Sequence, residues 1–600
     1  EALRARMAQN LSAEQIGELW PGYPEDGPAV LQSNAAPDLP WAALAAILPP
    51  RPPEGLGSNN WVLAGEHTAS GNALLANDPH LGLQIPSLWY LAHLSAPGLD
   101  VAGATLPGVP MPVLGRTPNF AWGFTNTNPD VQDLFIERLH PDDASRYLIP
   151  GGSAAFETRQ ETIRVKDGSD EELTVRETRH GPVVSDIISG SGEFLRAGHV
   201  VAFAWTALRD DDLSAQAAVR IGLAEDWDSF IAILRDFHAP QQNIVFADIY
   251  GNIGYFAPGR VPIRRSGNGW MPSIGWTGEH DWVGFIPPAA LPRLFNPRSG
   301  RIVTANNKIV GPSYPYYITR DWSAPHRANQ IGALLDTEAQ HTVESFAAIQ
   351  ADITSRAAQT LLPRLLELTP SGSETAHEAL NRLAAWDHVM AADRVEPLIY
   401  VAWLRELMHA LFADELKGAF NDYWSIRERA ILEALKPGNA WCDDTVTATL
   451  EDCAVTASKA LESALQFLAE RYGSSLDGWS WGEAHYAYSE HEVLGRVPGL
   501  GPLFEIRLAN GGGRNTVNAA GFTVRDEKIP FAQNHGPAYR AIYDLDPLGQ
   551  SLFIHNTGQS GNPLSSHYRD FAEMWRDGEY VPLLLNRAQV ESDSIGPLRL

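Results

Sequence analysis

Residues 57–90 read GSNNWVLAGEHTASGNALLANDPHLGLQIPSLWY. Ser58 stands at the entrance of an alternating apolar–polar run, SNNWVLAG, which has the period of a half-buried strand. A Gly-Ser pair at a strand entrance is ordinarily a turn. It also has a chemical reading. A serine hydroxyl held against the preceding carbonyl can attack it, pass through an ester and release a new α-amine. That amine, with an ordinary pKa of about 7.7–8.0, can serve as general base for its own hydroxyl. Gly57 suits such a junction, because it has no side chain to obstruct the attack.

Upstream, residues 21–57 (PGYPEDGPAVLQSNAAPDLPWAALAAILPPRPPEGLG) are rich in Pro, Gly and Ala and read as a linker or exposed loop. They follow a helical, charged opening, EALRARMAQNLSAEQIGELW, which starts without Met and suggests a mature or trimmed product. Downstream, strand patterns continue to about Thr304, among them a hairpin turning at Tyr250-Gly251-Asn252. From about Ala328 to Tyr472 the apolar period becomes helical, and after Asp477 short turn-broken segments return. Strands on both sides of a helical block predict one sheet system assembled from distant segments.

The 600 residues, 44% hydrophobic and 20% charged, describe a folded globular chain. Lys+Arg 45 against Asp+Glu 72 gives a formal charge of −27, which repels nucleic-acid phosphates and anionic lipid. No run approaches the roughly 20 apolar residues of a membrane span. There is no GxxxxGK[ST] and no HExxH, and NGGGR at 510–514 is a Gly-rich turn. One GxSxG occurs, Gly478-Trp479-Ser480-Trp481-Gly482. A nucleophile elbow needs a buried strand before the serine and little steric bulk. Here a polar helical segment precedes it and both variable positions are Trp, so an aromatic packing turn fits better. Cys442 and Cys453 lack the company of a zinc site; a local disulfide and two buried thiols both suit their spacing.

Five blocks in consistent order carry a family resemblance: residues 57–90, LPGVPMPVLGRTPNFAWGFTNTNPDVQDLFIERL (106–139), SGRIVTANNKIV (299–310), GGGRNTVNAAGF (511–522) and GQSGNPLSSHYRDFAEMW (558–575). Together they resemble the penicillin acylase family of N-terminal-nucleophile (Ntn) hydrolases. The resemblance implies an α+β fold, a four-layer αββα sandwich with a large helical insertion. Residues 1–24 would end an α chain, 25–57 form a spacer, and 58–600 form a β chain. Ser58 would be the nucleophile, and Gly57–Ser58 the processing site. The oxyanion donors would be the Asn126 backbone N–H and the Asn306 side chain, with Arg327 orienting the latter. His80 falls at the position beside the nucleophile. Penicillin G acylases carry Gln there, whereas glutaryl-cephalosporin and acyl-homoserine-lactone acylases carry His.

Asp130 and Asp133, with the backbone of Gln132 between them, match family calcium ligands; the family's α-chain ligand has no identified counterpart in the sequence. The block around Cys442 and Cys453 resembles disulfide-bearing relatives, which favours a disulfide and a periplasmic or secreted location. The implied activity is a self-processing acylase that cleaves N-acyl amides through an acyl-serine, with no organic cofactor and with its own α chain as partner. Three rivals remain at this point. They are an acyl-homoserine-lactone acylase specifically, an unprocessed periplasmic binding protein, and an esterase using Ser480.

Overall fold

The computed structural model describes residues 1–8, 10–24, 57–187, 197–369, 372–546, 549–594 and 596. Most of the predicted spacer, residues 25–56, lies outside them.

The opening segment forms two short helices, α1 (Ala2–Met7) and α2 (Ala13–Leu19). Ser12 caps α2, accepting the Gln15 N–H while the Gln15 side chain accepts the Ser12 N–H. Met7, Ile16 and Leu19 are buried in the core of the helical block. The Tyr423 hydroxyl donates to Leu19 O at 2.8 Å and the Trp441 indole to Glu18 at 2.7 Å.

Strand β1 (Ser58–Leu63) lies between two antiparallel neighbours, β2 (Leu74–Gly82) and a strand from residues 301–304. They belong to an eleven-stranded sheet completed by segments from the C-terminal quarter of the chain. A seven-stranded sheet, which includes β3 (Phe120–Asn126), packs against it. Strand β4 (Gln132–His140) belongs to a separate five-stranded sheet. The turn at 250–251 joins β5 (Gln242–Asp248) to residues 253–256 as an antiparallel hairpin, with Gly251 at a φ of 84°. The strand 301–304 is β6 (Arg301–Thr304).

Side-chain alternation distributes the core. Val62 and Leu75 point between the sheets, whereas Trp61, Leu63, Leu74 and Ala76 point the other way. The first sheet's outer face is covered by α4 (His326–Leu335) and α5 (Val343–Gln350), through Ile331, Leu335, Phe346 and Ile349. The second is covered by α3 (Trp227–Leu234), whose Phe230 meets Phe120 and Phe246. This is the four-layer αββα sandwich. The sheets approach so closely that a Cβ on Gly123 would lie 2.7 Å from the Asn77 side chain, so only glycine fits there.

The helical block runs from α4 to a 20-residue helix at Cys453–Tyr472, with an apolar 21-residue helix, Glu396–Leu416, at its centre. Cys442 and Cys453 are joined by a disulfide that closes the loop before the Cys453–Tyr472 helix. Ser480 stands at the start of a four-residue helix between the buried Trp479 and Trp481, whose indoles donate to Gly473 O and Gly512 O. No strand leads into it, and the elbow geometry is absent. Among the described residues no helix is long and apolar enough to cross a membrane.

Candidate active site

The first residue of β1, the last of β3, the loop after β6 and the first turn of α4 meet at one peptide bond, Gly57–Ser58. Ser58 is 7% exposed, and its hydroxyl donates to Gly57 O at 2.6 Å. The same carbonyl accepts the His80 backbone N–H at 2.8 Å, so it is already polarised by two donors. The Ser58 N–H donates to Asn306 Oδ1 at 2.7 Å. Asn306 adopts a φ of 62°, a left-handed conformation that Asn tolerates better than most residues.

Arg327 fixes this amide. Its Nη2 donates to Asn306 Oδ1 at 2.9 Å, while Nη1 donates to Ser58 O at 2.8 Å and Asn59 Oδ1 at 2.7 Å. With Oδ1 committed to two donors, Asn306 Nδ2 is turned outward and donates to Asn126 O at 2.7 Å. The guanidinium is completely enclosed, and burial pulls it down to about 10, which leaves it cationic at neutral pH. A Cβ on residue 57 would sit 2.5 Å from Arg327 Nη2 and 3.3 Å from Asn306 Oδ1. Glycine before the serine is therefore a steric demand of the Arg327–Asn306 pair.

His80 stands beside Ser58 through its backbone rather than its ring. Its backbone N–H donates to the Gly57 carbonyl, but its ring bonds Asp78 Oδ2 through Nε2 at 2.7 Å and makes no hydrogen bond to Ser58. Alternate residues of a strand share a face. Asp78 and His80 thus point together towards α5, where Gln350 donates to Asp78 Oδ1 at 3.2 Å and Asn59 donates to Oδ2 at 2.9 Å. Burial pushes Asp78 up to about 8, against the pull of Arg540 and Arg327, and drives His80 well below its ordinary value. At neutral pH the pair shares one proton as a neutral acid and a neutral imidazole. The network continues from Asp78 through Asn59 to Arg327, and the NDPH spacing was the one sequence signal for it.

A second polar cluster lies at the start of β4. Carboxylates of Asp130, Asp133 and Glu1 offer oxygens within 4.8 Å of one another. Glu1, on the opening segment, supplies the third acid that the sequence did not reveal. Gln132 has its strand pairing with Trp205, and its side chain is exposed. Arg264 clasps Asp133 through Nε at 2.7 Å and Nη2 at 2.9 Å and lies 3.3 Å from Asp130. The donors are all hard oxygens, so the set fits a divalent cation such as Ca²⁺. Burial first, and the neighbouring acids with it, raise Glu1 well up and Asp130 to about 7.

The family model described as Penicillin amidase matches residues 1–592. The chain belongs to the penicillin amidase family. It is an amidohydrolase, an acylase acting on N-acyl amides. The acylase is 32% identical over 549 residues to the penicillin acylase 2 proenzyme of Pseudomonas sp. (strain SE83), covering 90% of this chain and 68% of that protein. It is 28% identical over 629 residues to the acyl-homoserine lactone acylase QuiP of Pseudomonas aeruginosa, covering 96% of this chain and 73% of the other. Its fold matches the thermostable penicillin G acylase from Alcaligenes faecalis with a TM-score of 0.70 at 21% identity, over 90% of this chain and 99% of that one.

Proposed function

We propose that the acylase matures by cutting itself before Ser58 and then hydrolyses N-acyl amides with the serine so exposed. The observation that carries this reading is the Ser58 hydroxyl against the Gly57 carbonyl, 2.6 Å from its oxygen, in a carbonyl also held by the His80 N–H. In maturation Ser58 Oγ bonds to the Gly57 carbonyl carbon. The Gly57–Ser58 C–N bond breaks, and the hydroxyl proton passes to the departing nitrogen. Water then hydrolyses the ester, giving a Gly57 carboxylate, the Ser58 hydroxyl and a free α-amine.

In turnover the same hydroxyl attacks a substrate amide, and its proton goes to the α-amine. The Asn306 Nδ2, fixed by Arg327, and the Asn126 N–H stabilise the oxyanion. The α-amine returns the proton to the leaving amine, and water cleaves the acyl-serine. Glu1, Asp130 and Asp133 would hold a Ca²⁺ ion, whose chemistry there is charge neutralisation between the opening segment and β4. The contacts of residues 1–24 with the helical block support a cut product whose two chains stay together. The disulfide supports an oxidising, periplasmic or secreted setting.

The test is release of free amine from a panel of N-acyl amides, including acyl-homoserine lactones and acylated β-lactams, by wild type and Ser58→Ala. Turnover by wild type alone supports the reading; equal turnover by both overturns it.

A further inference from the structure

Between the two sheets of the sandwich, strand alternation sets apolar residues such as Val62 and Leu75 against the facing sheet. Near the Ser58 end it sets polar ones there instead. Thr125 on β3, Asn243 on β5, Tyr255 on the strand 253–256 and Thr304 on β6 are each 1% exposed or less. Polar groups in so dry a place are costly unless each finds a hydrogen-bond partner.

All four are bonded in one chain. The Tyr255 hydroxyl donates to Asn243 Oδ1 at 2.7 Å, and Asn243 Nδ2 donates to Thr125 Oγ1 at 3.0 Å. The Thr125 hydroxyl donates to Thr304 Oγ1 at 2.9 Å, and the Thr304 hydroxyl to Asn60 O at 3.3 Å. The direction is forced at both ends, because an amide Oδ1 and a backbone carbonyl can only accept. A second tie lies beside the first. The Asn77 amide on β2 takes both backbone groups of Phe124 on β3, Oδ1 accepting the N–H at 3.2 Å and Nδ2 donating to the carbonyl at 3.0 Å.

The relay joins the two halves of the proposed oxyanion site. Thr125 immediately precedes Asn126, whose N–H is one donor, and belongs to the seven-stranded sheet. Thr304 stands two residues before Asn306, whose Nδ2 is the other donor, and belongs to the eleven-stranded sheet. The Thr125–Thr304 bond therefore crosses between the sheets next to both donors. Asn243 Nδ2 also reaches Asn126 O at 3.4 Å, the same carbonyl that accepts Asn306 Nδ2. Two donors carried by separate sheets can serve one oxyanion only if the sheets keep a fixed spacing at this end. A misplacement of about 1 Å can cost about 10²-fold in rate.

We propose that Thr125, Thr304 and Asn243 are positioning residues for turnover, whose relay fixes the distance between the Asn126 N–H and Asn306 Nδ2. Buried as they are, they act through the two donors. The proposal rests on the acylase reading and deepens it. The Gly57 carbonyl is held by the His80 N–H instead, so cleavage before Ser58 does not draw on the relay.

The test uses Thr125→Val and Thr304→Val, which keep the shape of the side chain and remove the hydroxyl. Both should still cut before Ser58. In the cut enzymes, release of amine from one N-acyl amide should lose about ten- to a hundredfold in kcat, with KM little changed. Thr125→Ser and Thr304→Ser, which restore the hydroxyl, should recover most of it. The double Val variant should fall no further than the slower single one, because both break the same bond. Tyr255→Phe removes only the first donor of the chain and should lower kcat by about threefold; it carries the test alone where a Val variant does not fold. Unchanged kcat, a loss confined to KM, Ser variants as slow as the Val ones, an additive double variant, or cleavage slowed as much as turnover each overturns the proposal. Amide turnover at the same rate in wild type and the Val variants sinks this inference alone. No turnover of any amide by enzyme beginning at Ser58 sinks the acylase reading and this one with it.

Discussion

The Gly57–Ser58 junction and the acidic corner are both buried polar clusters gathered from distant segments, yet they close in opposite ways. At the junction the Gly57 carbonyl, Asn306 Oδ1 and the Arg327 guanidinium each find protein partners at 2.6–2.9 Å. At the corner, Arg264 clasps Asp133 and lies 3.3 Å from Asp130, and three carboxylates crowd around one guanidinium. Under the proposed function the first would be organised around chemistry done on the chain's own atoms, and the second around an added cation. The difference also separates what each can be broken by: the first by removing one of its own groups, the second by withholding a solute.

The largest break is Ser58→Ala, which should abolish both cleavage and amine release, read by gel and by amine assay. Asn306→Ala should leave the fold but lower turnover by about 10²–10³, the usual loss of one oxyanion donor, in kcat rather than KM. Gly57→Val places atoms against Arg327 and Asn306. Overpacking of about 1–3 kcal/mol should slow cleavage by about ten- to a hundredfold, followed as the uncut fraction over time.

A pH test addresses the Asp78–His80 pair. Folded, the pair holds one proton up to about pH 8. Unfolded, it holds one between 3.8 and 6.5 and none above 6.5. Folded protein therefore binds more protons than unfolded only between pH 6.5 and 8, and stability falls as pH rises through that window. The loss is at most about 2 kcal/mol. Asp78→Asn should remove this slope in urea midpoints taken at pH 6.5 and 8.5. The smallest effect belongs to the acidic corner. Ca²⁺ should raise Tm by a few degrees and chelator should reverse it, and Asp130→Asn should be indifferent to both.

Legibility in the sequence followed the same division. Ser58 and Asn306 lie in blocks whose resemblance is specific, Arg327 was placed by the same resemblance outside those blocks, and the switch of period from 2 to 3.6 located the helical block between the two groups of strands. The partnership of Asp130 and Asp133 with Glu1 and Arg264 was hidden, because no local pattern links the opening segment to β4 and a strand near residue 264. His80 was placed beside the nucleophile by the resemblance, and strand alternation turns its ring onto Asp78. Ser480 carried a motif without the strand that gives the motif its meaning.

The central claim is that the Gly57–Ser58 bond is the first substrate of this site. Intact-mass analysis with N-terminal sequencing, on protein expressed from its full reading frame, tests it most directly. The account predicts a fragment beginning at Ser58 in wild type and a chain continuous across Gly57–Ser58 in Ser58→Ala. A folded wild-type protein that turns over N-acyl amides while still continuous through that bond would contradict it.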